Sequence, residues 1–497
     1  MDTTVIRGGR LLDIGRHDAP PQDILIQGDS ILEIGAPGLA APEGATVVDA
    51  AGRLMHPGLM NGHTHSHGNL AKGTGARWTL ELLLTAGPWI TGARQTEEKY
   101  LSTLIGACEM LLKGCTACYD LMVEFPSPSV EGIAAVSKAY EDAGMRAVVA
   151  PMVADHSFFE AIPGLMEALP EALQKDVERL RLAPYQTTLE NLAAIFKEWS
   201  YDRDAIRPAV APTIPLHCSD DFMIGCRDLA REHGLGMHSH VSESKVQVVS
   251  GLKRYGKTLT AHIDGLDLLG PDFTVAHGVW LDDDDMKRLG DHGASVSHNP
   301  GSNALLGNGI ADTRRMLECG VNLAIGTDGA NCCDHQNMYE SMRVASYVSH
   351  VRGPEWQRWL TPEEILQAAT DGSARALGFE KCGRIAPGYK ADIVFLDLGA
   401  INWIPMNDPV NQMVHTEDGG SVHSVMVGGR VVVENRKLVG VDLAKLAADA
   451  ERAHERLQGI NAPNKDLYDR LEGIVGSFCP GLARQPLHIH RFGAMPH

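Results

Sequence analysis

The histidine pairs of this chain are the residues best suited to chemistry. His63-Thr-His65 follows the apolar run Leu54–Gly62, and His238-Ser-His240 closes the run Gly236–His240. Residues i and i+2 of a strand point the same way, so both imidazoles of a pair can face one mouth. Two neutral imidazoles at that spacing suit a Zn²⁺ or Fe²⁺ ion. One such pair is weak evidence, since His65-Ser-His67 overlaps the first and His488-Ile-His490 lies near the C-terminus. Position separates them. His63 and His65 end a first strand, His238 and His240 a fifth and His277 a sixth, while Asp328 follows an eighth within Gly326-Thr-Asp-Gly329. Histidines and a carboxylate from four strands thus converge on one rim. Glu243, three residues after His240, falls in the next loop or first helical turn, within reach of a water on the ion without being a ligand. His488 and His490 match no strand of this set and are expected on the surface.

Those strands need a scaffold that brings their ends together. Short apolar runs at Leu54–Gly62, Thr116–Leu121, Arg146–Val153, Arg207–Ala211, Gly236–His240, Phe273–His277, Ala294–His298 and Val321–Thr327 alternate with helical stretches such as Thr96–Lys113 and Asp221–His233. Strands buried on both faces and alternating with helices predict a parallel (β/α)₈ barrel, which carries its chemistry at the C-terminal strand ends. The first fifty residues and the segments near 388–397 and 423–433 instead alternate apolar and polar positions between glycine turns. That texture predicts a small β-sandwich assembled from both chain ends. The expected division is residues 1–57 and 371–440 for the sandwich, 58–370 for the barrel, and 441–497 for a helical then irregular extension. The acidic run Asp282–Asp285 is expected to start a helix. Cys115 and Cys118 are expected in the core, whereas Cys332 and Cys333 follow a site loop and can line a pocket.

Composition narrows the function. Hydrophobic residues make up 44% and charged residues 22% of the 497, and the formal net charge is −19. That charge repels phosphate backbones and anionic lipid, so neither nucleic acid nor a membrane is an expected partner. No apolar run reaches 18 residues and no secretory signal opens the chain, and the scattered cysteines suit a reducing compartment, so a cytoplasmic enzyme is expected. The oligomeric state, a homo-oligomer included, stays open.

The segments Pro57-Gly-Leu-Met-Asn-Gly-His63-Thr-His65, His240-Val-Ser-Glu243, His277-Gly278, Ser297-His-Asn-Pro-Gly-Ser-Asn303 and Gly326-Thr-Asp328-Gly329 resemble the amidohydrolase superfamily. The branch they resemble is that of cytosine deaminases and triazine hydrolases. The resemblance implies one divalent ion, Zn²⁺ in the first place and Fe²⁺ as the alternative, held by His63, His65, His240 and Asp328. It implies Glu243, His277 and Asp328 as catalytic groups around a hydroxide that attacks an sp² carbon. The expected reaction on a small molecule is hydrolytic deamination of an amino-substituted N-heterocycle or amidine. Alternatives are hydrolysis of an amide or urea C–N bond, dechlorination of a heterocycle, or a non-catalytic metal-binding scaffold. Trp78, Trp89, Gln186, His217 and Asn303 are the candidate substrate contacts. Pro215-Leu-His217-Cys218-Ser219 departs from the Pro-Tyr pair that many relatives carry before Cys-Ser.

Overall fold

The computed structural model describes residues 3–333 and 335–493. Its centre is a parallel sheet of eight strands in sequential order: Leu59–Thr64, Cys115–Val123, Arg146–Val153, Ile206–Pro212, Gly236–Val241, Phe273–His277, Ser295–His298 and Asn322–Ile325. The sheet curls into a nearly closed barrel, the backbone N–H of Asp328 donating to His63 O at 2.9 Å across the seam. Every residue of the first and sixth strands is buried, because helices cover the outside and side chains fill the inside. Glycines let the seam close. A Cβ on Gly326 would lie 2.4 Å from Asn299 Oδ1 and 2.8 Å from the His63 nitrogen.

A second, nine-stranded sheet joins the two ends of the chain. Strand Arg53–Pro57 pairs antiparallel with Ile393–Asp397 and parallel with Thr3–Leu11, which bridges the N-terminal strands to those near the C-terminus. The expected first barrel strand, Leu54–Gly62, is therefore two strands. The chain crosses between sheets at Gly58, whose N–H donates to Asp392 O at 3.0 Å. A Cβ there would meet Thr116 Oγ1 at 2.1 Å. Asp282 caps the helix Asp283–Asp291 through a reciprocal box with Asp285, as the acidic run suggested. Cys115 and Cys118 lie buried in the second barrel strand.

Two helices, Leu443–Ile460 and Ala462–Ala483, follow the small sheet. The second buries Leu467, Leu471, Val475, Cys479 and Leu482, a stripe at helical spacing that seals it onto the barrel. It packs on the helices Leu80–Thr91 and Lys245–Tyr255, which border the barrel mouth. Beyond it the chain crosses the rim, where Arg491 donates to Val279 O and Leu281 O. No helix among the described residues is long and apolar enough to cross a membrane.

Candidate active site

The C-terminal ends of four barrel strands deliver the site. His63 and His65 come from the end of the first, His240 from the fifth, His277 from the sixth and Asp328 from just past the eighth. Three residues at these ends take the left-handed backbone, Ser242 at φ 55°, His277 at φ 70° and Asp328 at φ 66°. A side chain held there costs on the order of 1–3 kcal/mol, which the surrounding packing must sustain. The strain turns the chain sharply at each strand end and aims His277, Glu243 and Asp328 at one point.

The candidate ligand atoms gather closely. His240 Nε2 lies 3.2 Å from His65 Nε2, and Asp328 Oδ1 lies 3.2 Å from His65 Nε2 and 3.5 Å from His63 Nε2. The rings are fixed from behind. His65 Nδ1 donates to Leu121 O and His240 Nδ1 to Thr213 O, both at 2.7 Å. Each Nδ1 therefore holds the proton, and each Nε2 turns a lone pair towards the other. Two facing lone pairs repel unless a cation lies among them. His63 is fully buried and neither of its nitrogens makes a hydrogen bond, a costly arrangement for a ring without a ligand. Among the described residues, His63, His65 and His240 form one group able to hold an ion, and His63, His277 and Asp328 a second that shares His63. Three imidazoles and a carboxylate are the donor set of a borderline-soft divalent ion.

Electrostatics supports the same division of labour. Burial pushes the His63 imidazole down to about 3 and that of His240 well below its ordinary value, so both are neutral. Burial pushes the Asp328 carboxyl up, but His63, His277 and His65 outweigh it and hold the group well below the usual carboxylate range. Glu243 is the opposite case. Burial, with Asp328 and Glu81 nearby, pushes its carboxyl well above the ordinary value. Two carboxyls in one site thus separate into one that stays ionised and one that can carry a proton.

Glu243 precedes the helix Lys245–Tyr255, which Ser244 caps. Its backbone N–H donates to Gln247 Oε1 at 2.9 Å, and Asn308 Nδ2 donates to its Oε1 at 3.0 Å. Its Oε2 lies 3.7 Å from His277 Nε2. The other nitrogen of that ring, Nδ1, is held by the Asn303 amide at 2.8 Å. Losing this hold should let the ring swing. Asn303→Ala is expected to lower kcat/KM by about 10–100-fold, the scale of outer partners in such sites, with bound metal unchanged. Steady-state kinetics beside metal analysis checks it, and an unaltered kcat/KM would remove Asn303 from the catalytic arrangement.

The expected substrate contacts divide. His217 lines the cavity above the site, together with His67 and Cys332. Trp78 and Trp89 do not line it. They pack edge-on against each other at 6.1 Å and onto Tyr468 of the C-terminal helix. Gln186 stands exposed on the helix Tyr185–Lys197, and Asn303 is buried behind His277. His488 pairs with Asp282 at 3.0 Å on the surface. Asn308 and the carbonyls of Leu121 and Thr213 were not anticipated from the sequence.

Comparison with known proteins agrees with this geometry. The model of the amidohydrolase family matches residues 54–432. The 5-methylthioadenosine/S-adenosylhomocysteine deaminase of Thermococcus onnurineus (strain NA1) is 31% identical, covering 84% of this chain and 90% of that protein. The 5′-deoxyadenosine deaminase of Methanosarcina barkeri (strain Fusaro) is 30% identical, covering 90% of this chain and 96% of that protein. Among solved structures, an adenosine deaminase from Xanthomonas campestris with bound zinc superposes with a TM-score of 0.80 at 25% identity, covering 92% of this chain and 98% of that one. Histidines at the strand ends, the buried Glu243 and a family match over most of the length together place the chain in the amidohydrolase family.

Proposed function

We propose that the protein releases ammonia hydrolytically from an amino-substituted N-heterocycle, with His63, His65, His240 and Asp328 holding one divalent ion. Zinc is the proposed metal, and Fe²⁺ suits the same donors. When bound, the ion supplies an oxygen nucleophile at neutral pH. The observation that carries the reading is Glu243, a buried carboxyl with a raised pKa beside His277 at the floor of a single cavity. Glu243 takes a proton at Oε2 from the attacking water and passes it to the departing nitrogen, so that the carbon gains oxygen and ammonia leaves. Asn308 holds Oε1 and keeps Oε2 turned to the reacting centre. His277 presents Nε2 between Glu243 Oε2 and Asp328 Oδ2, 3.7 Å from each. With the Asn303 amide turned so that Nδ2, otherwise unpartnered, donates to Nδ1, the ring proton sits on Nε2 and is donated to the substrate atom that gains charge as the carbon becomes tetrahedral. Asp328 stays ionised and steadies that ring. The three relatives reported above are named as deaminases of adenosine-type compounds, which supports ammonia as the leaving group.

Ammonia release from a panel of amino-pyrimidines, aminopurines, pterins and aminotriazines tests the proposal, using zinc-loaded protein. Ammonia from at least one ring class is expected. Silence across the panel with the ion fully loaded would overturn deamination and point to amide, urea or halide leaving groups.

A further inference from the structure

We infer that the substrate is an uncharged amino-heterocycle bearing an apolar arm, alkyl or aryl, in place of a charged or sugar-like one. The inference rests on the deaminase reading above and concerns the wall of the same cavity. Leu80, Leu83 and Ile90 reach it from the helix Leu80–Thr91, Phe125 from the second-strand loop, and Phe158 and Phe159 from the third. These side chains make up most of the wall above the polar floor, interrupted by Glu124, His156, His217 and a few hydroxyls.

Among the described residues lining the cavity there is no arginine and no lysine. A carboxylate, phosphate or amino-acid arm entering it would lose water and meet no ammonium or guanidinium, which is strongly unfavourable. Of the wall imidazoles, His156 already faces Asp155 at 3.1 Å, and burial pushes His217 down to about 3. The overall charge of −19 opposes anions as well. Sugar hydroxyls fare little better. Glu124 is the one wall carboxylate apart from Glu243 and Asp328 on the floor, and Lys99 together with the Ser129 N–H and hydroxyl already binds it. Three of the wall hydroxyls donate within the protein, Thr91 to Gly87 O at 2.7 Å, Ser157 to Glu160 at 2.8 Å and Ser127 to Thr188 at 3.3 Å. His67 accepts the Val123 N–H on its Nδ1 at 3.3 Å. A diol therefore meets no unengaged carboxylate, while an apolar arm covers carbon with carbon and is favoured. S-adenosylhomocysteine, for which the Thermococcus relative is named, carries an amino-acid arm that this wall cannot pair.

Two families of probes decide it. 9-Benzyladenine, adenosine and S-adenosylhomocysteine share one aminopurine ring, and N-benzylmelamine and N-carboxymethylmelamine share one aminotriazine ring. Calorimetry on the zinc-loaded Glu243→Gln protein measures their binding, and ammonia release by the unaltered protein measures turnover. At least one benzyl probe is expected to bind about ten-fold or more tightly than its polar counterparts, as a hydrophobic pocket discriminates. If neither benzyl probe does so, the inference falls, whatever the turnover. If a benzyl probe binds tightly but the unaltered protein releases no ammonia from either ring, the apolar wall stands and deamination fails. Leu83→Arg places a cation on the wall at a half-buried position. It should move the preference at least ten-fold towards the carboxylate-bearing probe of the ring that binds, and an unmoved preference counts against the wall as the selector.

Discussion

Glu243→Gln will lower kcat by about a thousand-fold, within the range that positioned proton transfer contributes, and will leave the ion bound. Glutamine matches glutamate in size, and the Gln247 bond to the residue 243 backbone is unaffected by the change. The Asn308 amide can still donate to a side-chain oxygen where Glu243 Oε1 now stands. What the amide cannot do is accept a proton and return it. The side chain is only 2% exposed, so bulk water is poorly placed to substitute as a base. Glu243 also lies outside the cluster of candidate ligands, so metal content by elemental analysis should match that of the parent. Near-normal turnover would remove the proton shuttle from the mechanism. Loss of the ion would instead make residue 243 part of the coordination.

The barrel was legible because its strands are buried on both faces. Phe273–His277 has five buried residues in a row, and such runs stand out against the alternating texture of the small sheet. The first barrel strand was misjoined for the same reason. Arg53–Pro57 buries its three central residues in one sheet and Leu59–Thr64 buries all of its own in another. The buried run carries on through both strands, and the one mark of the change is the turn dipeptide Pro57-Gly58. The ligand candidates were legible because strand period two puts His63 and His65 on one side, a purely local rule.

Long-range contacts carried no such signal. Trp78 and Trp89 were candidate substrate contacts, but the ring they pack on is Tyr468, far along the chain. Gln186 sits on an exposed helix face where no neighbour demands it. Asn308 lies in Leu306-Gly307-Asn308-Gly309, which reads as turn chemistry. Its bond to Glu243 depends on a fold that places two distant loops together. The carbonyls that lock His65 and His240 are backbone groups of Leu121 and Thr213, and a sequence assigns no identity to a backbone oxygen. Local rules found the groups that can do chemistry, while their supports were hidden.

His240→Ala should cost the ion itself. The imidazole is fixed by Thr213 O, so its Nε2 has one orientation, towards His65 Nε2 at 3.2 Å. Removing it leaves His63, His65 and Asp328, with water in place of a charge-directed nitrogen. Outer partners of metal ligands are worth about 10–100-fold in affinity, so loss of a direct donor should exceed about 100-fold. The consequence extends to stability, because an ion that binds only the folded chain stabilises it by mass action. At zinc one hundred times above the dissociation constant this amounts to about 2.7 kcal/mol. The parent should therefore gain thermal stability on titration with zinc. His240→Ala should show little gain at the same free zinc, along with background turnover. Both readouts are needed, since a folding defect alone would lower activity without abolishing the zinc-dependent rise in Tm. A variant that keeps a full ion complement and the whole rise in Tm would strike His240 from the ligand set. The site would then have to be rebuilt on the second group, His63, His277 and Asp328, with His277 as a ligand and no longer free to hydrogen-bond the substrate.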